Sequence, residues 1–471
     1  MDSYRLVRDI PIEEGYDLVV AGGGPAGSAA TICAARLGAR VLLVEATGCL
    51  GGMGTSGLVT SFDPMADGER MLVGGFMREL VEKMYERGFI PDFVTPDYWR
   101  KNYHFWTPFS GEGLKLLLDE LAMEAGVEVR FFTRVIDADV EMQTRQVRGV
   151  VINNIEGYQY IRAKTFVDAT GDAVLANICG VSCREAGRDT PKIMPPSLCS
   201  LFAGIDWDRI KMGGWTKDDP QTVVPSEQQE KLEKAIADDH FSQPDYHLPG
   251  MIRVGECVGF LNAPHVFDVN SLRCRSLSDG MMKGRKLAQE YMEFYRKYIP
   301  GFENIEHVTT ATLMGVRESR RIVGEYELNY DDYLARRQFP DQIGVFNKAV
   351  DIHPYDGSYE EYERASNEFL QDRLGRGECF GISYGILVPR GWKNLWVAGR
   401  CASSDVKVHG SIRVQPAASM MGQAAGTAAV YSIKTGQPAY DLDTAQLVEL
   451  LRKAGAYLPQ RNLSKKMTRS S

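Results

Sequence analysis

The feature that most constrains this chain is a glycine pattern that follows an apolar segment near its beginning. Residues 17–21 are typical of a buried strand, and Gly22, Gly24 and Gly27 follow them with the spacing G-x-G-x-x-G. In a strand–turn–helix unit, this spacing allows a tight turn, lets a phosphate approach the backbone and lets the helix lie close to the strand. The pattern therefore predicts a dinucleotide-binding βαβ unit.

The residues after the glycines support the same interpretation. Pro25 and Ala26 open the predicted helix, where the missing N–H of a proline costs least. The free N–H groups and the dipole of this helix end favour a phosphate. Residues 41–44 form a second apolar strand, and Glu45 and Ala46 follow it. A carboxylate at this point accepts hydrogen bonds from ribose hydroxyls, so we expect an adenine dinucleotide.

A second glycine-rich turn, GCLGGMGTSG at residues 48–57, follows the acidic residue. Glycines here let a loop pass close to a large planar ligand without obstruction by side chains. The loop residues expected at the ligand are Gly51, Gly52, Met53 and Thr55.

With this second turn, the chain resembles the FAD-dependent oxidoreductases of the glutathione-reductase-like flavoprotein superfamily over nearly its whole length. The segment FVDATGDA (166–173) is similar to the element that closes the nucleotide domain of those proteins. Residues 395–427 resemble their last strand and the helix aimed at the flavin ring. The segment MGVRESRRIVGEYEL (314–328) is similar to a subgroup loosely related to fumarate reductase flavoproteins. The resemblance implies FAD as the cofactor.

The implied fold is α/β. It has a Rossmann-like FAD-binding domain, with a parallel sheet and an antiparallel crossover sheet at residues 135–161, plus an inserted α+β substrate or cap domain. We expect the FAD-binding domain at 1–183 and 385–471, and the cap at 184–384, where the glycine patterns stop. Apolar residues at helical spacing predict helices at 74–87, 111–126 and 284–298, and a charged, exposed helix is expected at 227–239.

The resemblance also implies further cofactor contacts. The long C-terminal helix is expected to begin near residues 414–416, with its first amides directed at the flavin N1/C2=O edge, where they stabilise negative charge. The remaining expected FAD contacts are Val135, Ala169, Thr170, Gly171, Gly399, Arg400, Val414 and Gln415.

Candidate catalytic residues precede that helix. Arg400, His409 and Arg413 are predicted on a loop that opens onto the flavin. A histidine ordinarily titrates near neutral pH, so we expect His409 to be either a general acid or base, or a solvent-facing loop histidine. Arg413 suits either a substrate carboxylate or the flavin itself.

A charged segment in the predicted cap supplies a third candidate, Arg317. If residues 314–328 are helical, Arg317 and Arg321 share one face and Arg321 precedes Glu325 by four residues. This face either binds substrate or joins the cap to the nucleotide domain through ion pairs. His353 is an isolated candidate near a domain junction. Three aromatic residues either line a substrate slot or belong to the core: Trp106, Trp215 and Tyr384.

The chain has nine cysteines but no C-x-x-C pair, which argues against an iron–sulfur cluster, a zinc ribbon or a redox-active disulfide. Cys179 and Cys183 are four residues apart and would share a face if helical. Cys49 and Cys401 fall in predicted flavin-bordering loops, where a packing role is favoured over a reactive thiol. The histidines show no ligand spacing, so no metal site is expected.

Composition limits the class of partner. At 471 residues the chain suits two interleaved domains, and a net charge of −8 argues against a nucleic-acid surface. No apolar segment reaches the roughly 18 residues of a membrane span. The first residues lack the apolar core of a signal peptide, so we expect a cytoplasmic protein.

These observations lead to one functional hypothesis with alternatives. We expect an oxidoreductase that transfers a hydride between flavin N5 and a small organic substrate, with an unidentified electron donor or acceptor. A flavin monooxygenase is the first alternative, although residues 398–405 read AGRCASSD and lack the G-D motif of that class. A non-enzymatic electron-transfer or redox-sensing flavoprotein is the second, and a non-redox use of the flavin stays open. The sequence leaves open whether the protein forms a homo-oligomer.

Overall fold

The computed structural model describes residues 4–101, 106–190, 192–213, 224–225 and 227–459. Trp215, a candidate for the aromatic slot, lies outside this part of the chain. The strands in chain order are β1 (Ile12–Ala21), β2 (Val41–Val44), β3 (Ser61–Phe62), β4 (Thr107–Pro108), β5 (Glu128–Arg130), β6 (Arg134–Glu141), β7 (Gln146–Asn154), β8 (Gly157–Asp168), β9 (Cys183–Glu185), β10 (Ser200–Ala203), β11 (Met212–Gly213), β12 (Val224–Pro225), β13 (Met251–Arg253), β14 (Gly259–Leu261), β15 (Glu306–Thr310), β16 (Arg320–Ile322), β17 (Gln342–Phe346), β18 (Phe380–Ser383) and β19 (Leu395–Val397).

The helices are interspersed along this strand series. In chain order they are α1 (Pro25–Arg36), α2 (Gly75–Glu86), α3 (Pro96–Lys101), α4 (Gly111–Glu124), α5 (Val174–Ile178), α6 (Gln228–Ala237), α7 (Cys274–Tyr298), α8 (Tyr330–Leu334), α9 (Tyr359–Asn367), α10 (Val406–Ile412), α11 (Gln415–Thr435) and α12 (Thr444–Lys453). The four predicted helices are present as α2, α4, α6 and α7, and α7 begins earlier than expected.

The main sheet is mixed, in agreement with the expectation from the sequence. Its order is β5-β2-β1-β8-β7-β6, with β19 paired to β8. Strands β5, β2, β1, β8 and β19 are parallel, whereas β6 and β7 are antiparallel. The four residues of β2 are apolar and buried, as expected for a parallel strand covered on both faces. The α/β fold is therefore confirmed.

One long strand joins the two halves of this sheet. The first part of β8 pairs with β7, and its last residues pair with β19. The sequence pattern predicts a break near residue 161, but the strand is continuous there. Its end lies in register with its neighbours, since Asp168 is opposite Ala21 and Val397, and Ala21 is opposite Val44. The segments that follow these strands therefore start from one edge of the sheet.

Two helices lie unusually close together in the nucleotide region. A Cβ added at Gly422 of α11 would stand 2.0 Å from the carbonyl oxygen of Ala26 in α1. A Cβ at Gly426 would stand 2.2 Å from that of Ala30. Only glycine allows this approach, so the backbones of α1 and α11 touch.

The predicted cap region contains a hydrophobic core of its own. An antiparallel sheet of order β13-β14-β10-β15 packs with α7, and the cluster includes Phe202, Phe260 and Phe294. The two-stranded antiparallel sheet β17–β18, in contrast, packs into the core of the nucleotide region through residues such as Ile343 and Phe380. The boundaries at 184 and 384 stay a prediction.

Two local predictions are wrong, and the helix on which a shared face of Cys179 and Cys183 would depend is absent. Residues 314–328 are not helical, because β16 within them pairs with β9 and places Arg320 opposite Glu185. The segment between β19 and α11 is not a simple loop, because α10 occupies it. Cys179 and Cys183 do not share a helical face, because the first ends α5 and the second begins β9.

Candidate functional site

The first glycine turn leaves space for a ligand at Gly24. Gly22 has a φ of +93°, and a Cβ added at Gly27 would stand 1.7 Å from the carbonyl oxygen of Gly22. A Cβ added at Gly24, in contrast, would meet no atom of the described residues within 4 Å. Gly24 is also the N-cap of α1, and no side chain of the described residues caps this helix end. Two glycines thus close the turn, and the third leaves room for a phosphate beside uncapped amides.

Glu45 is fixed at the end of β2 by its own chain. Its Oε2 accepts a hydrogen bond from the Gly23 amide at 2.6 Å. Its Oε1 accepts from the amide and hydroxyl of Thr47, both at 2.7 Å. A carboxylate has about four acceptor positions, so one remains for a ribose hydroxyl. The adjacent Ala46 is exposed.

The second glycine loop packs directly on the first turn. The Gly51 amide donates to the Gly23 carbonyl at 2.8 Å, and both Gly51 and Gly52 have positive φ. A Cβ at Gly52 would lie 2.8 Å from the Cα of Gly24. Thr55 holds the end of this loop through a 2.6 Å hydrogen bond to the Leu50 carbonyl. Met53 lies in the short 3-10 helix between Gly52 and Gly54.

The strands β8 and β19 end at the same edge of the main sheet as β1 and β2, and the residues that follow them lie beside the first glycine turn and the start of α1. The Ala169 amide donates to the Ala21 carbonyl at 2.8 Å, and Gly171 and Gly399 both have positive φ. The Thr170 hydroxyl donates to Asp168 at 2.7 Å. Val135 is buried in β6, in register with Ile152 of β7.

Helix α11 begins at the same edge, and no side chain of the described residues caps it. Val414 is its N-cap, and its first amides are therefore available to a ligand. The Gln415 side chain donates to the carbonyls of Val59 and Ser61, at 2.8 and 3.1 Å. Its Oε1 is buried and has no partner among the described residues. These residues fit a dinucleotide that extends from the start of α1 to the start of α11.

Arg400 and His409 are both anchored to neighbouring parts of the chain, and their roles at the cofactor stay predictions. The Arg400 guanidinium donates to the Val316 carbonyl at 2.9 Å and to Asp172 at 2.7 Å. His409 belongs to α10 and is buried, so the solvent-facing alternative is wrong. Its Nε2 lies 2.9 Å from the Arg400 carbonyl oxygen, and burial together with the charges of Arg321 and Arg413 holds its pKa well below the ordinary value.

Arg317 and Arg413 belong to one charged cluster, in which Arg317 is buried and the Arg413 side chain is 11% exposed. Arg413 donates to the Asp351 carboxylate at 2.9 Å, and its Nε has no partner among the described residues. Arg317 donates to the Pro195 carbonyl at 2.6 Å and to Ser197 Oγ at 3.0 Å. Burial, with the charge of Arg413, lowers the pKa of Arg317 to about 9. We expect an anion close to the Arg317 guanidinium, because an unpaired buried charge is costly.

Asp351 connects this cluster to residues that the sequence did not single out as a group. Burial raises its pKa, but His353 and Arg413 outweigh burial and hold that pKa well below the usual range. His353 in turn lies beside His265 and His247, although the histidine spacing predicts no metal site. The pattern Asp-x-His occurs twice in the sequence, at Asp245–His247 and at Asp351–His353. This repeat is the sequence signal that could have indicated the group of histidines.

Three other residues singled out from the sequence make contacts typical of a structural role. Arg321 is fully buried and pairs with Asp189, and its Nε donates to the Ser404 carbonyl at 3.1 Å. Tyr384 is part of the core, where its hydroxyl donates to the Ala439 carbonyl at 2.9 Å. Cys401 is fully buried, and burial raises the pKa of its thiol, which agrees with the packing role.

A sequence profile described as FAD dependent oxidoreductase matches residues 17–451. The chain belongs to this family. Its cofactor is FAD, and the glycine turns, Glu45 and the two uncapped helix ends are the residues that would hold it. No curated protein matches the chain. In the described residues, no helix is long and apolar enough to cross a membrane.

Solved structures similar to this chain include several flavoenzymes. A geranylgeranyl bacteriochlorophyll reductase-like protein from Thermoplasma acidophilum is 12% identical, with a TM-score of 0.47 over 94% of this chain and 85% of that chain. A flavin-dependent brominase is 14% identical, with a TM-score of 0.47 over 94% and 83%. The p-nitrophenol 4-monooxygenase of Pseudomonas putida is 10% identical, with a TM-score of 0.42 over 94% and 88%. Family membership therefore rests on the sequence match.

Proposed function

We propose that this FAD-dependent oxidoreductase transfers a hydride between the flavin and a small organic substrate that carries an anionic group. We also propose that the chain belongs to the glutathione-reductase-like superfamily, on the basis of the sequence resemblance described above. The observation that supports an anionic substrate is a pair of guanidiniums, the buried Arg317 in the predicted cap and the largely buried Arg413 in the segment that leads into α11.

Arg413 is the residue we assign to the substrate anion. It immediately precedes the N-cap of α11, so a group that binds Arg413 lies near the helix end expected at the flavin. A guanidinium holds a carboxylate through two parallel hydrogen bonds, which fixes the orientation of the neighbouring carbon. The contact with Asp351 holds the Arg413 side chain in place.

The other residues orient and stabilise the reacting groups. FAD, when bound, supplies the ring nitrogen that accepts or releases the hydride. The first amides of α11 stabilise negative charge at the end of the site where they point. The histidine of α10 contacts the Arg400 carbonyl and thereby positions the segment after β19. Direct acid–base catalysis by His409 stays a prediction.

The test is an anaerobic reduction experiment on the purified holoprotein. Small hydroxy and saturated organic acids, and the corresponding uncharged amides, are each mixed with the oxidised protein while absorbance at about 450 nm is followed. We expect at least one acid to bleach the flavin and its amide to fail. The dithionite-reduced protein is tested in parallel against unsaturated and keto acids.

Two results would contradict the proposal. If amides react as well as acids, the anionic part is wrong. If no acid exchanges electrons with the flavin, while NADPH oxidation requires both oxygen and an organic substrate, the monooxygenase alternative replaces it.

A further inference from the structure

The strongest unexplained feature of the molecule is a group of three histidines from separate parts of the chain. His247 follows α6, His265 follows β14 and His353 follows β17. One ring nitrogen of each lies within 4.8 Å of the corresponding nitrogens of the other two. His265 and His353 are 2% and 8% exposed, so this group is not a surface cluster.

We propose that His247, His265 and His353 bind a divalent transition-metal ion, with Zn²⁺ as the first candidate. Three neutral imidazoles that leave a fourth position for water or a substrate atom form the donor set of catalytic zinc sites. Imidazole also suits copper, iron and nickel, so the assignment is to this class of ion.

The orientation of two of the rings supports this site. Nδ1 of His265 lies 2.8 Å from Oδ2 of Asp245, and Nε2 of His353 lies 3.3 Å from Oδ1 of Asp351. The opposite nitrogens, Nε2 of His265 and Nδ1 of His353, therefore face each other at 2.9 Å. The two carboxylate contacts are ion-pair contacts and not formed hydrogen bonds, because His265 Nδ1 and Asp245 Oδ2 have no hydrogen-bond partner among the described residues. A carboxylate behind a metal-binding imidazole is the usual arrangement, and a small turn of the ring or the carboxylate would complete the bond that fixes the ring.

The distances need only a small adjustment. Bonds of about 2.0–2.1 Å in a tetrahedral site place two ligand nitrogens about 3.4 Å apart, so the two facing nitrogens would separate by about half an ångström. The third nitrogen would approach by up to about 1.4 Å to reach the same tetrahedral spacing. Rotation of the His247 side chain supplies the larger movement, because this ring makes no hydrogen bond among the described residues.

The backbone that carries these residues is held independently of the rings. Oδ1 of Asp245 accepts from the His247 amide at 2.9 Å. The His265 carbonyl accepts from Gln243 Nε2 at 2.9 Å, and Ser197 forms a β-bridge with His265. The ligands are therefore placed before an ion arrives, which reduces the cost of binding.

The charges around the three histidines would allow a metal cation to bind first and an anion to bind beside it. Arg317 and Arg413 oppose a cation here, whereas Asp245 and Asp351 favour it. Because these two pairs balance, a bound divalent ion would leave a net positive site.

A simple hydrogen bond between His265 and His353 is the competing explanation. That bond accounts for the 2.9 Å contact but gives no role to His247, whose ring is stacked on His265 at a centroid distance of 5.2 Å. A metal ion accounts for all three rings and for both carboxylates. The proposal does not rest on the hydride-transfer proposal, because metal binding is measured without turnover.

The experiment measures zinc in the full-length flavin-loaded protein. The protein is treated with a chelator, dialysed, given a small excess of ZnSO₄ and separated from free metal, and its zinc content is measured by mass spectrometry. We expect about one zinc per chain in the unaltered protein and in the control His307→Gln, because His307 lies on β15 outside the group. We expect at least a tenfold lower content in His265→Ala and in His353→Ala.

A milder variant guards against loss of folding. Asp245→Asn keeps the shape of the side chain and should weaken zinc binding about 10- to 100-fold, as other carboxylates behind metal ligands do. Flavin absorbance and circular dichroism check that each variant is folded. No zinc uptake by the unaltered protein, or zinc affinity in folded Asp245→Asn and His265→Ala equal to that of the unaltered protein, would overturn the proposal.

Discussion

Two regions of the molecule are built in opposite ways. One is the FAD cleft, which the two glycine turns and the starts of α1 and α11 form, and the other is the histidine–arginine cluster. The cleft consists of glycines that lie close together in the sequence and make space by the absence of side chains. The cluster consists of large polar side chains from residues 245–265, 317, 351–353 and 413, which meet only in the folded chain. An added atom should therefore damage the cleft, whereas a removed charge or ring nitrogen should damage the cluster.

The largest effect is expected where an added atom meets the cleft's own backbone. In Gly27→Ala the new Cβ would stand 1.7 Å from the Gly22 carbonyl oxygen, so α1 must move away from β1. We expect a loss of about 3 kcal/mol or more in the free energy of unfolding and no retained flavin. Denaturant unfolding and flavin absorbance measure both. Unchanged stability would show that the turn is not packed as tightly as this distance requires.

The matched change is Gly24→Ala, three residues earlier. Its Cβ would meet no atom of the described residues within 4 Å, so stability should stay within about 0.5 kcal/mol of the unaltered value. The same Cβ occupies the space assigned to a phosphate, so the Kd for FAD should rise at least about tenfold. Titration of the apoprotein with FAD measures this. A normal FAD affinity would place the phosphate elsewhere.

In the cluster, Arg413→Lys should lower function without an effect on the fold. Lysine keeps the charge but loses the paired hydrogen bonds of the guanidinium, which should raise KM for an anionic substrate about 10- to 100-fold. Steady-state kinetics with the acid found by anaerobic reduction measure this change. Arg337→Lys is the control, because that side chain is 54% exposed and pairs with Asp332. Equal KM values in both variants would remove Arg413 from the substrate site.

The smallest effect concerns the cysteines near the cleft. Cys401 is fully buried with a raised thiol pKa, whereas Cys257 and Cys274 are exposed. Brief alkylation of the native protein, followed by peptide mass analysis, should modify Cys257 and Cys274 and leave Cys401 intact. Cys401→Ala should change the rate of flavin reduction less than about twofold. Rapid modification of Cys401 would restore the reactive-thiol alternative.

The sequence was informative for the cleft because each of its signals is local. The turn needs glycine at Gly22, Gly24 and Gly27 for reasons of steric space that any similar strand–turn–helix unit shares. The start of α11 was equally local, since Pro416 and the small residues after it suit a helix that begins at the cofactor.

The cluster could not be located in the same way. His265 has no ligand-spaced neighbour in the sequence, and it reaches His353 only because the segment after β14 packs on the segment after β17. The predicted helix at 314–328 failed for a related reason, since pairing of Arg320 with Glu185 outweighs local helical preference. The sequence does carry a signal for α10, although the prediction placed a loop there. Asp405 is a preferred N-cap residue, and it caps α10 by accepting a hydrogen bond from the Val408 amide at 2.8 Å.

The backbone contact between α1 and α11 bears on how the protein admits a substrate. Because Gly422 and Gly426 let the two backbones touch, we expect the starting ends of these helices to keep one spacing. We therefore expect a movement that admits substrate to involve the region with its own core around Phe202 and Phe294 rather than a separation of α1 from α11. The span from the pyrophosphate end to the ring end of the cofactor would then be the same in open and closed states.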